Sequence, residues 1–508
     1  MSQSATPHIV VIGAGPGGLA SAMILAHRGF QVTVVEKEDV VGGRSRELKL
    51  GEYSFDTGPT FLHQKFVLDE VFQEAGRDSE DYLDFVQLDP MTRLTWNDRS
   101  LQTYSDQEKM EAELEDVFPG SVEGFRRFMK DQSEKFRVVY PVLQRPFQTI
   151  GSYLSSELLR TLKHILTGKS VINALEKYFD DEKLRLAFTF QAKYLGMSPW
   201  KCPALFTILA YTEYKFGVFH TRGGLNKIPE AMAKVVIEEG GKIRTDSEVS
   251  EILVEGKNMT GVRLKSGETI KADDVIVNAD FGQAMTSLLN GRGTPLPKMR
   301  KKEFSCSTFM LYLGIDTIYR EEPHHHVIFA DDYRQNVEDI QSEERISDDM
   351  SIYVRNSSLL DPETAPEGHS ALYVLVPMIN NRHDQDWDSL KQDYRDKVIA
   401  RIEEKTSMKD LSDRIVEEKI LTPSDWEKRG VFMGATFNLS HNLGQMLYMR
   451  PHNQYQGFEN CFLVGGGTHP GSGLPTIYES ARISSNLICD RHDIEYGRID
   501  LATAYIES

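Results

Sequence analysis

The clearest motif for chemistry in this chain is a glycine-rich turn near its start, GAGPGG at 13–18. Gly13 permits a tight turn, Gly15 lets the backbone approach a pyrophosphate, and Gly18 allows a helix to pack closely on a strand. Glu36 follows at the distance where a carboxylate accepts hydrogen bonds from both ribose hydroxyls. The spacing predicts a dinucleotide site, although a lone glycine motif is also compatible with a plain structural turn.

A second glycine pair indicates which dinucleotide would fit. Gly42, Gly43 and Arg44 come shortly after the acidic residue. Two glycines and an arginine can press against the phosphates of a large dinucleotide, which a simple NAD dehydrogenase does not need. We therefore predict FAD as the cofactor, with Gly43 and Arg44 among its contacts and the arginine nearer the phosphates.

These residues need a strand, a turn and a helix to position them. Residues 8–13 form a β-branched apolar run, and 19–29 place apolar residues on one helical face. A second apolar run at 31–35 ends just before the acidic residue. The pattern predicts strand, turn, helix and strand, with the helix N-terminus facing the phosphates.

A comparable unit is predicted near the C-terminus. Residues 461–467 form a short apolar run that ends in three glycines, and 475–488 have helical periodicity. Loop amides and a helix N-terminus at this point could stabilise negative charge on a flavin ring that accepts hydride. Gly467, Gly473 and Leu474 are the predicted contacts, and the alternative is a tight structural connection.

The composition is that of a folded protein with several domains. The chain has 508 residues, of which 40% are hydrophobic and 26% charged, and this excludes a disordered chain and a polytopic membrane protein. A formal net charge of −18 argues against nucleic acid as a partner. No uninterrupted apolar segment is long enough to span a bilayer, so we predict no membrane-spanning helix.

Metal and hydrolytic chemistry find no support in the sequence. Cys202, Cys306, Cys461 and Cys489 lie far apart and are interpreted as free thiols of a reducing compartment. The three histidines at 324–326 would alternate between the faces of a strand, so we predict surface or structural roles and no metal site. Motifs of serine hydrolases, zinc proteases and P-loop enzymes are absent from the sequence.

Longer motifs resemble one flavoprotein family. GGR at 42–44 and FDTGPT at 55–60 resemble the flavin amine oxidase superfamily, which includes carotenoid desaturases. FLVGGGTHPGSGLP at 462–475 resembles the end of bacterial-type phytoene and dehydrosqualene (4,4′-diapophytoene) desaturases. Three internal segments, of which the second is most similar to the thirty-carbon, dehydrosqualene branch, match this family too: 194–206, 328–340 and 351–377.

The resemblance implies an α/β fold, in which a Rossmann-like FAD-binding domain is built from discontinuous segments and carries an inserted α+β substrate domain. It also implies a backbone contact between Val249 and the adenine. The predicted division alternates three FAD-binding parts with two substrate parts, the first of them membrane-facing: 1–74, 75–218, 219–299, 300–454 and 455–508.

The function implied is FAD-dependent desaturation of a linear carotenoid precursor, phytoene or 4,4′-diapophytoene. An allylic hydride would pass to the flavin, which oxygen or a quinone would later reoxidise. The proton on the neighbouring carbon is acidic beside a delocalised carbocation, so a strong base is not obligatory. His469, next to the C-terminal glycine loop, is the candidate catalytic residue.

Other functions stay open at this point. Related enzymes isomerise or saturate polyenes, or oxidise their terminal methyl groups. An amine or porphyrinogen oxidase is disfavoured by the C-terminal loop sequence. A lipid-binding escort protein of the same fold is the non-enzymatic alternative, and the complete glycine set together with Glu36 argues against it.

A long apolar isoprenoid needs a tunnel and a route from the membrane. Segment 154–166 places four apolar residues on one helical face, which predicts an interfacial helix, with an ordinary packed helix as the alternative. We therefore predict a cytoplasmic protein that associates peripherally with the membrane surface. Eleven aromatic residues are tunnel candidates, with plain core packing as the alternative: Phe188, Phe190, Tyr194, Phe206, Tyr211, Phe216, Phe219, Phe309, Tyr312, Phe329 and Phe437.

Overall fold

The computed structural model describes residues 6–148, 161, 168–383 and 385–502, leaving aside the side chains of 193–195. The predicted interfacial helix at 154–166 lies outside the described residues, apart from position 161.

The described residues form twenty strands and fifteen α-helices. The strands are β1 His8–Ile12, β2 Gln31–Val35, β3 Glu47–Leu50, β4 Tyr53–Asp56, β5 Leu62–His63, β6 Phe85–Gln87, β7 Thr92–Thr95, β8 Ser100–Thr103, β9 Val218–Thr221, β10 Lys242–Arg244, β11 Val249–Glu255, β12 Asn258–Leu264, β13 Thr269–Lys271, β14 Asp274–Val277, β15 Ser307–Ile315, β16 His325–Ile328, β17 Ile352–Asn356, β18 Ser370–Met378, β19 Ile415–Leu421 and β20 Cys461–Leu463. The helices are α1 Pro16–His27, α2 Lys65–Glu74, α3 Gln107–Val117, α4 Val122–Leu143, α5 Val171–Leu175, α6 Glu182–Ala187, α7 Thr207–Phe216, α8 Lys227–Glu238, α9 Phe281–Ser287, α10 Leu296–Arg300, α11 Tyr333–Ser342, α12 Trp387–Lys405, α13 Leu411–Arg414, α14 Pro423–Lys428 and α15 Leu474–Arg491.

A five-stranded parallel sheet, in the order β10-β2-β1-β14-β20, carries the two glycine-rich ends of the chain. Strands β1, β14 and β20 are almost fully buried, as expected for parallel strands covered on both faces. The sheet takes its strands from three separated stretches of sequence. The residues that follow these strands therefore meet at one edge, where doubly wound folds bind their ligands.

Helices α1 and α15 pack against each other beside this sheet. A buried ion cluster fastens α15 to α2: Arg482 lies 2.7 Å from Glu74 and 2.8 Å from Glu479, and it also contacts Glu70. Because each of these charges is buried and paired, the cluster fixes where the C-terminal helix lies.

A seven-stranded mixed sheet, in the order β19-β15-β18-β17-β16-β7-β8, forms the second layer. Successive side chains of strand β15 alternate between two cores. Phe309, Leu311 and Leu313 pack with Trp387 and other residues of α12. Met310 and Tyr312 face the opposite side, toward β4 and α14. Helix α12 therefore closes one face of this sheet and leaves the other toward the nucleotide-binding sheet.

The helical part of the molecule has an aromatic core of its own. The rings of Phe125, Phe128, Phe179, Phe188 and Tyr214 contact one another with centroid separations of 4.6–6.2 Å. Such contacts add to the free energy of burying the rings.

The histidine triplet is buried in and beside β16. His326 hydrogen-bonds Thr95 at 2.8 Å and Glu322 at 2.8 Å, while His325 bonds the Tyr353 hydroxyl at 2.6 Å. Their roles are therefore structural. Across the part of the chain that the structure describes, no group of His, Cys, Asp and Glu is arranged to hold a metal ion. Within the same ranges, no helix is both long enough and apolar enough to cross a membrane.

Candidate functional site

The carboxyl ends of the parallel strands open into a cavity of about 710 Å³. One end lies at the nucleotide-binding sheet, where Gly13 and Glu36 line it. The other end reaches the seven-stranded sheet, where Val327 and Ile352 line it. A single space therefore connects the two layers, in the kind of place where α/β proteins bind cofactors and substrates.

The first glycine turn and Glu36 form one hydrogen-bonded unit. The Gly13 amide donates to the Val35 carbonyl at 2.8 Å, and Gly13 has a φ of +97°, which favours glycine. The buried Glu36 carboxylate accepts from the amides of Ala14 at 2.7 Å and Glu38 at 3.1 Å. These two donors fix the carboxylate and leave its other lone pairs available to ribose hydroxyls.

The second glycine turn packs directly on the first. The Gly42 amide donates to the Ala14 carbonyl at 2.8 Å. A Cβ on Gly43 would lie 3.3 Å from the Gly15 Cα, so the two turns form one wall of bare backbone. Arg44 lines the cavity and is oriented by a 2.7 Å hydrogen bond to the Thr436 carbonyl.

Gly18 serves the packing of α1 and is not among the cavity-lining residues. A Cβ at this position would lie only 2.2 Å from the Gly13 carbonyl oxygen. Asn278, which follows β14, holds the same turn through a 3.0 Å hydrogen bond from Nδ2 to that oxygen. Gly18 therefore allows α1 to pack closely on the first turn, and Asn278 holds that turn in place.

The C-terminal loop forms the opposite wall. Gly467, Gly473 and Leu474 line the cavity, and Gly473 is the N-terminal cap of α15 with a φ of +111°. Helix α1 is likewise capped by Gly15. Since neither capping residue has a side chain, the first amides of both helices remain able to bind an anion.

Val249 lies at the Glu36 end of the cavity. It begins β11 and lines the cavity together with Ser247 and Glu248. The Ser247 amide donates to the Glu36 carbonyl at 2.7 Å, which joins this segment to the end of β2. The structure thus brings nine of the ten predicted cofactor residues to one cavity and places Gly18 behind it.

The far end of the cavity is apolar. Phe61, Phe190, Val327, Ile352 and Leu375 line it. Of the eleven aromatic tunnel candidates, Phe190 and Phe437 line this space, and Phe309 packs on α12 at the opposite face of the sheet. The side chain of Tyr194 lies outside the described part. The other candidates belong to the surrounding core: Phe188, Phe206, Tyr211, Phe216, Phe219, Tyr312 and Phe329.

His469 is buried, and it is not among the residues that line the cavity. Its ring packs edge-on against Phe147 at a centroid separation of 5.0 Å. Burial, reinforced by the positive charge of Arg450, lowers the pKa of His469 to about 3, so the ring is neutral at physiological pH. This location supplies no direct contact with a ligand in the cavity.

Of the segment 426–438, which lines the cavity, sequence reasoning singled out only Phe437 and missed the other residues. Trp426, Arg429, Thr436 and Asn438 all line it. The Thr436 hydroxyl is buried and has no hydrogen-bond partner among the described residues, as expected of a group that faces a polar ligand. No glycine motif or periodicity marks this segment in the sequence.

The residues present fit FAD. The two glycine turns expose bare backbone, and the N-termini of α1 and α15 are capped only by glycines, without a side-chain cap. Both features suit a negatively charged group such as a pyrophosphate. The fixed carboxylate of Glu36 suits a ribose, and the glycine loop before α15 suits a flat ring. An orphaned hydroxyl on Thr436 offers one more polar contact.

Comparison with known proteins agrees with this fit. A 4,4′-diapophytoene desaturase (4,4′-diapolycopene-forming) from Methylomonas sp is 48% identical over 97% of this chain and 97% of its own length. A zeta-carotene-forming phytoene desaturase from Myxococcus xanthus is 39% identical over 94% of this chain and 92% of its own. The crystal structure of an oxidoreductase from Methanosarcina mazei has a similar fold, with a TM-score of 0.61 and 18% identity, over 94% of this chain and 99% of that one.

The family model for flavin containing amine oxidoreductases matches residues 16–489, nearly the whole chain. The predicted family, fold class and cofactor are thereby confirmed. The chain belongs to the flavin containing amine oxidoreductase family and is an FAD-dependent oxidoreductase.

Proposed function

We propose that this protein is an FAD-dependent desaturase that introduces conjugated double bonds into a linear carotenoid precursor, 4,4′-diapophytoene. The observation that carries the proposal is the cavity, which continues from Glu36 at the nucleotide end to apolar side chains such as Val327 and Ile352. The similarity to carotenoid desaturases over almost the full chain supports the same substrate class.

The cofactor residues have separate roles in this proposal. Glu36 accepts from the ribose hydroxyls, and Val249 lies against the adenine. Gly13 and Gly15 admit the pyrophosphate, while Gly18 lets α1 approach. Gly43 and Arg44 would contact the phosphates, and Gly467, Gly473 and Leu474 would hold the flavin ring. The division into domain parts at 74/75, 218/219, 299/300 and 454/455 is likewise part of the proposal.

Bound FAD supplies the acceptor for an allylic hydride. The chain's own contribution is to position the polyene and to exclude water from it. Phe61 and Phe190 line the apolar end of the space that an extended chain would occupy, and buried strands surround it. The mechanism does not require a base at His469, because the proton beside a delocalised carbocation is already acidic and His469 does not line the cavity.

The thirty-carbon substrate is favoured by similarity. The relative with 48% identity is named for 4,4′-diapophytoene, whereas the phytoene desaturase reported above is 39% identical.

We also propose that the protein associates peripherally with the cytoplasmic side of the membrane, because such a substrate dissolves in lipid. Oxygen or a quinone would reoxidise the flavin.

The test uses FAD-loaded protein and liposomes that contain either 4,4′-diapophytoene or phytoene. We expect the visible absorbance of a conjugated polyene to develop with both, and faster with the thirty-carbon substrate. Oxygen and a soluble quinone are supplied in parallel samples, so that the lack of one acceptor cannot hide the activity. Unchanged spectra in all samples would overturn the proposal, while a new aldehyde with no added double bonds would favour terminal-methyl oxidation.

A further inference from the structure

Three arginine side chains are fully buried, and one of them differs from the other two. Arg355 donates to the Asp56 carboxylate at 2.5 Å, and Arg482 is surrounded by three glutamates. Arg450 has no carboxylate within ion-pairing distance among the described residues. The titratable groups that respond to its charge are Lys302 and His469, and neither is an acid. Its positive charge is therefore uncompensated.

Every hydrogen bond of the Arg450 guanidinium goes to a backbone carbonyl. Its five acceptors lie 2.6–3.3 Å away: Thr468, Ser440, Gln445, Leu439 and Gly466. A guanidinium has five N–H donors, so its donor capacity is fully used. Burial lowers the pKa of Arg450 to about 9, which leaves the side chain charged at neutral pH.

Two of these carbonyls belong to the C-terminal glycine loop. The shortest bond, at 2.6 Å, runs from Nη2 to Gly466, and Nε donates to Thr468 at 2.9 Å. Because a trans peptide holds its C=O and N–H on opposite sides, a Gly466 carbonyl that points at Arg450 directs the Gly467 amide away from it. Gly467 lines the cavity, and its amide has no protein acceptor in the described ranges.

We propose that Arg450 is a positioning residue for the flavin: through the Gly466 carbonyl it would orient the Gly467 amide toward the cavity, and it supplies a positive charge, unpaired among the described residues, behind the glycine loop. A flavin ring that accepts hydride gains negative charge, and a fixed positive charge in a dry environment stabilises that form more than the oxidised one. Arg450 thus raises the flavin midpoint potential and makes hydride transfer more favourable. The inference deepens the proposed function, since it concerns the cofactor of the same site.

The experiment measures the two-electron midpoint potential of bound FAD in the full-length holoenzyme. Arg450→Gln and Arg450→Met remove the charge. We expect the midpoint potential of each uncharged variant to be lower than that of the wild type by at least ~30 mV. For a two-electron couple this corresponds to a shift of about tenfold in the equilibrium toward oxidised flavin. Arg395→Met is the control. Arg395 lies on α12, is paired with Glu418 of β19 and does not line the cavity, so the midpoint potential of this variant should equal that of the wild type.

Arg450→Lys keeps the inference testable if the uncharged variants do not fold. A buried lysine loses its proton at lower pH than arginine does. We expect its midpoint potential to match the wild type at low pH and to fall more steeply as pH rises. A wild-type potential in either uncharged variant, or identical pH slopes for Arg450→Lys and wild type, would overturn the inference.

Failure of this inference is distinguishable from failure of the proposed function. Wild-type turnover of 4,4′-diapophytoene with unchanged potentials in the variants would remove only the role of Arg450. Shifted potentials in a protein that leaves every polyene unchanged would remove only the desaturase proposal.

Discussion

At the scale of single residues, the site depends on groups fixed by backbone amides. Glu36 is the main example, because amides of Ala14 and Glu38 hold its carboxylate before any ligand binds. Such preorganisation lowers the cost of binding, since the side chain has no rotamer freedom left to lose.

Replacing Glu36 tests the ribose contact. Glu36→Gln keeps the shape but removes the charge, and hydrogen bonds to a charged acceptor contribute about 1.5–3 kcal/mol each. We expect the FAD dissociation constant to rise roughly tenfold to a hundredfold, and Glu36→Arg to abolish retention of the yellow colour. Fluorescence titration measures both. Glu230→Gln, at an exposed glutamate of α8 paired with Lys227, is the control that should bind normally.

Glu213 gives the protein a specific pH dependence of stability. Burial raises its pKa to about 8, while the nearby His63 has its pKa lowered by burial to about 4 and stays neutral. From about pH 5 to 8 Glu213 keeps, in the folded state, a proton that it has lost in the unfolded chain, so the contribution of Glu213 to stability falls as pH rises, by up to ~1.4 kcal/mol per pH unit. Below about pH 6.5 the lowered pKa of His63 acts in the opposite direction, and comparison with Glu213→Gln isolates the contribution of the carboxyl. Urea unfolding of wild type and Glu213→Gln should show the variant gaining relative stability across this window. If the unfolding free energies of the two proteins changed with pH in parallel, this assignment to Glu213 would be contradicted.

The residues that belong to a sequence motif were predicted as cofactor contacts. The residues that come near the cavity only through tertiary packing were missed. Gly13, Gly15 and Glu36 are recognisable because a pyrophosphate and a ribose demand fixed spacings. Thr436 lines the cavity and Arg450 holds the glycine loop from behind, and both come from a region with no periodicity, so only the fold identifies them. His469 neighbours the glycine loop in sequence, but the structure buries it without placing it among the residues that line the cavity, and its catalytic role stays a prediction.

At the scale of secondary structure, the site depends on the close approach of α1 to the first turn. Gly18 permits it, because a Cβ would meet backbone that cannot move aside. The strand, turn and helix that build this unit were predictable from local periodicity. The pairing of β1 with β14, more than two hundred residues later, was not visible in any local pattern and came only from the family resemblance.

Gly18→Ala tests this approach. We expect a loss of roughly 1–3 kcal/mol in unfolding free energy, as for other overpacked positions, together with weaker FAD binding because α1 shifts away from the phosphates. Gly497→Ala is the matched control, since a Cβ there meets nothing within 4 Å. Denaturant titration of the apoprotein and flavin titration measure the two effects. An alanine variant as stable as the control would refute the packing argument.

At the scale of the whole molecule, function depends on two sheets that face each other across one cavity. The nucleotide-binding sheet offers the carboxyl ends of its strands, and the seven-stranded sheet offers the face that α12 leaves uncovered. Length and composition predicted a folded protein with several domains, and the resemblance predicted its α/β fold and discontinuous assembly. The aromatic residues that line the cavity could not be told from core residues, because both kinds are apolar and buried.

The most direct test of the account is an anaerobic mixture of FAD-loaded protein and 4,4′-diapophytoene, monitored by visible spectroscopy and product analysis. The cavity arrangement predicts that the flavin absorbance bleaches as one new double bond forms for each flavin reduced, because hydride passes from the polyene to FAD. Desaturated product formed while the flavin stays oxidised, or no change in either species, would contradict it.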